Sequence, residues 1–283
     1  MSATRPVPLA RSAAILQARG RVAVRERPLE GVTVVFDLDG TLVDTAPDLT
    51  GALNHCLLAA DIAETTLEAV RPQAGHGARA MLAAAYARAG RSADEEELAG
   101  QTRRFLAFYC EHIAVASTPF AGAVESLDRM AEAGATLAVC TNKTEALAAR
   151  LLRELGLAAR FAAVCGADTF VARKPDPAHL AGTIARAGGN VHRAVMVGDT
   201  DTDMEAALRL DVPSILVGFG YDADRAARRK ATAIVSHFDE IDVAFVDRLV
   251  RSRLSGEERI DEPRIAHYRQ SRSQTARAGA TGD

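Results

Sequence analysis

Val32-Thr33-Val34-Val35-Phe36, followed at once by Asp37-Leu38-Asp39-Gly40-Thr41, is the stretch that decides the fold. Five apolar or β-branched residues in a row are the pattern of a strand buried on both faces, as in the middle of a parallel sheet. The run stops abruptly on two carboxylates and a glycine. A lone aspartate after a strand is ordinarily a turn or helix-cap residue. The pair around Gly40 is more specific, because glycine permits a tight turn and lets backbone N–H groups point at an anion. In that setting Asp37 can attack as a nucleophile, and Asp39 can act as acid and base.

Downstream, from about 46 to 117, the pattern turns helical and shows no strand-like run. Leu49, Leu53, Cys56 and Leu57 recur at helical spacing, as do Met81, Leu82 and Ala85. Ser92-Ala-Asp-Glu95 has the form of a capping box opening a helix through Leu98, Phe105 and Tyr109. After Thr118-Pro119 the period changes again. Helices are expected near 122–133, 144–155, 177–187 and 203–210, and strands at 136–140, 161–165, 194–197, 214–217 and 233–235. Strands alternating with helices imply an α/β fold, a doubly wound parallel sheet covered on both faces. The helical stretch interrupts that alternation straight after the first strand, so it is an insertion into the sheet domain. The expected layout is a core of 31–45 and 118–250, an all-helical insertion of 46–117, and extensions at 1–30 and 251–283.

Polar clusters follow three of the buried strands: Asp37 and Asp39; Thr141-Asn142-Lys143; and Asp199, Asp201 and Asp203. In an open parallel sheet this edge is where ligands bind. Several carboxylates on one rim repel one another unless a cation joins them, and an all-oxygen set favours Mg²⁺. The lysine count points the same way. Of only three lysines, Lys143 falls in one of these clusters and Lys174 in the polar run Lys174-Pro175-Asp176-Pro177, and a compact ammonium differs in use from a planar guanidinium. Lys143 remains open between a site residue and a surface or helix-start residue.

Asp37-Leu-Asp39-Gly-Thr41-Leu-Val-Asp44-Thr resembles the first motif of the haloacid dehalogenase superfamily, the aspartate-nucleophile phosphatases. Thr141-Asn142-Lys143 is similar to its second motif, Lys174-Pro175-Asp176-Pro177 to its third, and Val197-Gly198-Asp199-Thr200-Asp201-Thr202-Asp203 to its fourth. The four occur in family order, and the resemblance covers about residues 31–240. It implies that Asp37 attacks phosphorus and that Asp39 protonates the leaving alcohol, then activates water. It further implies Mg²⁺ on the carboxylates of Asp37 and Asp199 and the backbone carbonyl of Asp39, with Asp203 supporting that shell. Thr141, Asn142 and Lys174 would hold the phosphoryl oxygens. Cations are needed because a carboxylate approaching a phosphate dianion is repelled by roughly 4 kcal/mol per charge pair at about 4 Å.

On this resemblance the helical insertion is a cap that closes over the rim and reads the substrate. Arg71, His76 and Arg79, around Gly75-His76-Gly77, form its one polar loop with glycine freedom. Arg71 and His76 are the candidate substrate contacts, and a solvated interhelical loop is the plain alternative. The second aspartate, Asp39, argues for phosphate ester chemistry, since the family's dehalogenases lack it. Thr41 to Leu49 and Pro213 to Tyr221 look most like phosphoglycolate phosphatases, so the expected substrate is a small phosphorylated metabolite, 2-phosphoglycolate among them. The alternatives are a phosphosugar mutase of the same superfamily and a non-catalytic phospholigand-binding module.

Composition bounds the rest. The chain has 283 residues, 48% hydrophobic and 25% charged, which excludes a fibrous or wholly disordered protein. No uncharged run approaches the roughly 18 residues needed to cross a bilayer, so no membrane partner is expected. Residues 1–30 carry a net +4 and residues 251–283 a net +2, leaving the body at −9. An acidic body repels nucleic acid. The Arg-rich ends can be a targeting or nucleic-acid arm; the expectation taken here is a disordered basic extension and a polar, flexible tail. Four scattered cysteines without a C-x-x-C pattern fit a reducing, cytoplasmic setting.

Overall fold

The Val32–Phe36 run forms β1 (Thr33–Phe36), and all four strand residues are buried. Full burial of Val34, Val35 and Phe36 contributes about 1.5–3 kcal/mol each. The computed structural model describes residues 27–255. The expectations for the basic extension and the polar tail fall almost wholly outside the described residues. Order begins before Gly31, where the sequence suggested it would: Leu29 is fully buried and its N–H donates to the Ala133 carbonyl (3.0 Å).

Past β1 the chain makes a two-residue strand, β2 (Val43–Asp44), and enters the insertion. This holds α1 (Ala46–Ala59), α2 (Leu67–Val70), a short 3-10 turn over Arg71–His76, α3 (Ala78–Arg88) and α4 (Glu95–Glu111). Pro47 and Asp48 suit the first turn of α1, where N–H groups have no helical acceptor. The start of α4 differs from the expected capping box. Its N-cap is Asp94, whose carboxylate accepts from the Glu97 N–H (2.8 Å), and Ser92 lies outside the helix. Glu95, Glu96 and Glu97 then sit in the first turn, where the helix dipole favours them.

The chain returns through β3 (Thr118–Pro119), which pairs antiparallel with β2. This pair is the neck of the insertion, and two-residue strands have no periodicity to read. Asp48 tightens the neck by accepting from the N–H groups of Ala116 and Ser117 and from the Ser117 hydroxyl.

The core continues with α5 (Ala123–Glu132), β4 (Thr136–Cys140), α6 (Glu145–Glu154), β5 (Ala163–Cys165), α7 (Pro177–Arg186), β6 (Ala194–Gly198), α8 (Asp201–Arg209), β7 (Ser214–Val217), α9 (Arg225–Lys230), β8 (Ala233–Val235) and α10 (Val243–Ser255). Six strands form one parallel sheet in the order β5-β4-β1-β6-β7-β8. Phe36 stands opposite Val139 on one side and Val197 on the other. Strand alternation divides the core. Val34, Phe36, Leu137, Val139, Val195 and Val197 join one cluster with α5, α6 and α10. Val35, Ala138, Cys140 and Met196 join the other, with Leu180 and Ile184 of α7. After β1 the chain moves outward to β4 and β5, then crosses back to β6. The C-terminal ends of β4, β1 and β6 therefore meet at a switch point, where such sheets bind ligands.

Candidate active site

Three strand ends deliver the site. Asp37 and Asp39 leave β1, Thr141 to Lys143 leave β4, and Asp199 leaves β6 with Asp203 in the first turn of α8. Lys174 comes from the loop before α7 and is 3% exposed. Its ammonium lies 2.8 Å from Asp37 Oδ1 and 2.6 Å from Asp203 Oδ1, bridging two buried carboxylates. Asp203 is fixed from its other oxygen by the Thr200 N–H (3.0 Å) and hydroxyl (2.7 Å). Asp199 accepts from the Thr41 hydroxyl (2.8 Å) and the Tyr221 N–H (2.8 Å).

Close packing makes two glycines obligatory. Gly40 has φ +84°, and a Cβ there would lie 2.3 Å from Asp199 Oδ2; at Gly220 a Cβ would lie 2.2 Å from Asp199 Cβ.

Asp39 belongs to a second ion pair. Its Oδ1 accepts from Lys143 Nζ (2.7 Å) and from the Thr45 hydroxyl (2.6 Å). Lys143 also stands 4.8 Å from the ring centroid of Tyr109, a cation–π contact supplied by α4 of the insertion. Lys143 is thus a buried member of the site. The Thr141 hydroxyl accepts from the Lys143 N–H (3.1 Å), and its own proton remains for an anion. The Asn142 side-chain NH₂ is committed to the Lys174 carbonyl (3.0 Å) while Oδ1 is buried without a partner. Asn142 therefore also shapes the Lys174 loop.

Electrostatics separate the two pairs. Burial pushes the Asp37 carboxyl up to about 6; Lys174 opposes that shift and Asp203 reinforces it. Asp199 is raised well above the carboxylate range, by burial first and then by Asp37 and Asp203. Burial works against the Lys174 ammonium, but Asp203 and Asp37 outweigh it and push its pKa up. Lys143 is likewise raised, with Asp39 and Tyr109 overcoming burial. Carboxylate oxygens of Asp37, Asp199 and Asp203 all lie within 4.8 Å of one another. One lysine does not neutralise three carboxylates, and the buried Asp37 Oδ1 makes no hydrogen bond of good geometry. An all-oxygen, over-acidic, buried cluster of this kind suits a hard divalent cation.

Between this rim and the insertion lies a cavity of about 620 Å³. Asp39, Asn142, Lys143 and Arg173 line it from the core, and His76 and Tyr109 are among the residues facing them. The two cap candidates part company here. His76 is on the cavity wall, half-exposed, with its Nε2 4.0 Å from Asp222. Arg71 is turned to the neck, where its guanidinium grips both oxygens of Asp44 (3.0 and 2.7 Å). That bidentate pair makes Arg71 a cap-to-neck tie, and it is not among the residues that line the cavity. Sequence reasoning gave no role to Thr41, Thr45, Tyr109 or Tyr221; the first two and Tyr221 lie in stretches that resemble the family, but their contacts are long-range and leave no local pattern.

Fold and site together define a capped, aspartate-centred enzyme of the doubly wound α/β class. Residues 34–217 match the haloacid dehalogenase-like hydrolases, and the chain belongs to that family. It is 44% identical over 219 residues to a phosphoglycolate phosphatase of Mesorhizobium japonicum, a match covering 77% of this chain and 96% of the relative. A phosphoglycolate phosphatase of Agrobacterium fabrum is 43% identical, over 79% of this chain and 96% of its own length. Among solved structures, a predicted phosphoglycolate phosphatase from Haemophilus somnus superposes with a TM-score of 0.69 at 26% identity, covering 75% of this chain and 96% of that one.

Proposed function

We propose that this protein is a Mg²⁺-dependent phosphatase of small phosphomonoesters and that 2-phosphoglycolate is its substrate. The observation that carries the chemistry is the buried Asp37, held beside Lys174 with Asp39 two residues on. Asp37 attacks phosphorus, forming an O–P bond as the ester P–O bond breaks, and Asp39 gives a proton to the departing alkoxide. A water then loses a proton to Asp39 and attacks the same phosphorus. The phospho-aspartyl bond breaks, which returns the Asp37 carboxylate and releases phosphate. Lys174 and the Thr141 hydroxyl face the phosphoryl oxygens, and the Asn142 bond to the Lys174 carbonyl keeps that lysine in place. The carboxylates of Asp37 and Asp199 and the backbone carbonyl of Asp39 would hold Mg²⁺, which when bound would supply positive charge against the phosphoryl group. Asp203 supports that arrangement through Lys174.

The substrate rests on the relatives, at 44% and 43% identity over nearly their whole length. The cavity supports it in kind, since its mixed walls suit a short polar ester with a second charged group. A cytoplasmic setting is part of the same reading and is in keeping with four free cysteines.

The test is phosphate release from a panel of phosphomonoesters, run with and without Mg²⁺ and with Asp37→Asn as the blank. The expected result is Mg²⁺-dependent release, with kcat/KM for 2-phosphoglycolate at least about tenfold above sugar phosphates and nucleotides. Equal rates across the panel would remove the substrate assignment. An isomerised sugar phosphate without free phosphate would replace the phosphatase with a mutase.

A further inference from the structure

Tyr221 has no task in the reaction above, yet it joins the parts of the molecule that must act together. It follows β7 in the segment Gly218-Phe219-Gly220-Tyr221. At one end its backbone N–H donates to Asp199 Oδ2 (2.8 Å), inside the carboxylate cluster. At the other end its hydroxyl donates to Asp44 Oδ1 (2.8 Å) in the neck and accepts from the N–H of Ala46 (2.8 Å), the first residue of α1. Its ring meets that of Phe120, on the return limb of the neck, edge-on at 6.5 Å. Arg71 completes the chain by clamping Asp44 from the short turn of the cap.

The geometry points to Tyr221 as a positioning residue that couples cap closure to the setting of Asp199, with the Arg71–Asp44 ion pair as the latch. This rests on the phosphatase reading, in which Asp199 holds the metal ion. The Tyr221 ring packs close against the Gly40 turn, so close that a Cβ at Gly40 would lie 2.7 Å from Tyr221 Cδ2. A shift of the tyrosine would therefore press on the turn that carries Asp39 and pull on Asp199. The two ends differ in strength. The Asp199 end is fully buried, whereas the Arg71 and Asp44 side chains are 39% and 20% exposed. The latch can open to admit substrate while Asp199 stays held, and closing it restores both the water-excluding cap and the carboxylate's setting. Arginine suits the latch because its planar fork gives each carboxylate oxygen its own N–H donor, in two parallel hydrogen bonds.

The experiment compares Tyr221→Phe, Arg71→Lys and the double variant. Tyr221→Phe keeps the ring and the backbone N–H, and Arg71→Lys keeps the charge and loses the fork, so both are expected to fold. Amide hydrogen exchange in the metal-free protein is read at Ala46, the more telling site, and at Tyr221, whose ring the Arg71 guanidinium overlies at 6.0 Å. Arg71→Lys should speed exchange at both amides, and each single variant should lower kcat about five- to tenfold with a smaller change in KM. The double variant should lose no more than the worse single, because the two side chains act through one line of contacts. Multiplying losses, or exchange at Ala46 and Tyr221 unchanged in Arg71→Lys, would overturn the coupling. A wild-type protein that releases no phosphate would overturn the phosphatase reading instead, and the exchange measurement would still decide the coupling.

Discussion

The core side and the cap side of the site are built differently. On the core side the charged groups at the strand ends are buried and held in pairs: Lys174 between Asp37 and Asp203, and Lys143 against Asp39. On the cap side the wall runs through Gly75-His76-Gly77, and its charges are half-exposed, with His76 4.0 Å from Asp222 and Arg79 paired to Glu95. Buried pairs fix geometry, and breaking one leaves an uncompensated charge; exposed pairs are worth little and can be rearranged. On the proposed function, the rigid side would carry the chemistry and the adaptable side the choice of substrate.

The most severe break in the rigid wall is Asp37→Asn. It should reduce phosphate release by about 10⁴-fold or more, since the attacking oxygen is lost. The fold should persist, and a circular dichroism spectrum matching the wild type would show it. Lys174→Met comes next. It removes the single ammonium that bridges Asp37 and Asp203, and should cost about 3–5 kcal/mol in urea unfolding as well as activity. A loss of activity with full stability would mean that the lysine serves substrate alone.

Metal removal tests the over-acidic cluster. The Asp37 carboxyl is raised from its ordinary 3.8 to about 6, chiefly by burial. A raised carboxyl stabilises the fold fully below the lower value, and that contribution is lost as pH climbs through the upper one. The metal-free protein should therefore lose stability from Asp37 between about pH 4 and pH 6, and Mg²⁺ should raise the thermal midpoint more near pH 7 than near pH 5. His179 has the opposite sign. Burial first, and Lys174 second, lower it from 6.5 to about 4, so its contribution fades as pH falls through that window. His179→Gln should remove the acid-side loss and leave the Mg²⁺ effect in place.

The smallest effect belongs to the adaptable wall. His76→Ala should change kcat/KM by less than about tenfold, mostly through KM, and unequally among phosphomonoesters. A uniform loss across all esters would place His76 in the chemistry and blur the division between the walls.

The same division decides what can be read from sequence. Asp37 and Asp39, and Asp199 and Asp203, stand in short runs at strand ends, so β-branched runs and their polar punctuation disclose the sheet and much of the site, while Lys174, in the loop before α7, is marked only by its resemblance to the third motif. Lys143 could be placed near the rim but not paired, because its partners Asp39 and Tyr109 are 104 and 34 residues away. Tyr221 touches Asp44 across 177 residues, and no local period records such a contact. Arg71 has the glycine-rich surroundings of a substrate contact, yet Asp44 offers its guanidinium a bidentate partner that a loop in water does not. The α4 cap shows a finer limit. Ser92 and Asp94 are both acceptable N-caps, and only the backbone path puts the Asp94 carboxylate on the Glu97 N–H. The buried Leu29 was hidden by its isolation among polar neighbours.

The central claim is that Asp37 makes and breaks a bond to phosphorus. Rapid acid quench of the protein with Mg²⁺ and 2-phosphoglycolate, followed by peptide mass spectrometry, tests it directly. A transient phosphoryl group is expected on the peptide that contains Asp37, absent without Mg²⁺ and absent in Asp37→Asn. Steady release of phosphate with no label at Asp37, or an Asp37→Asn protein that turns over as fast as the wild type, would contradict it.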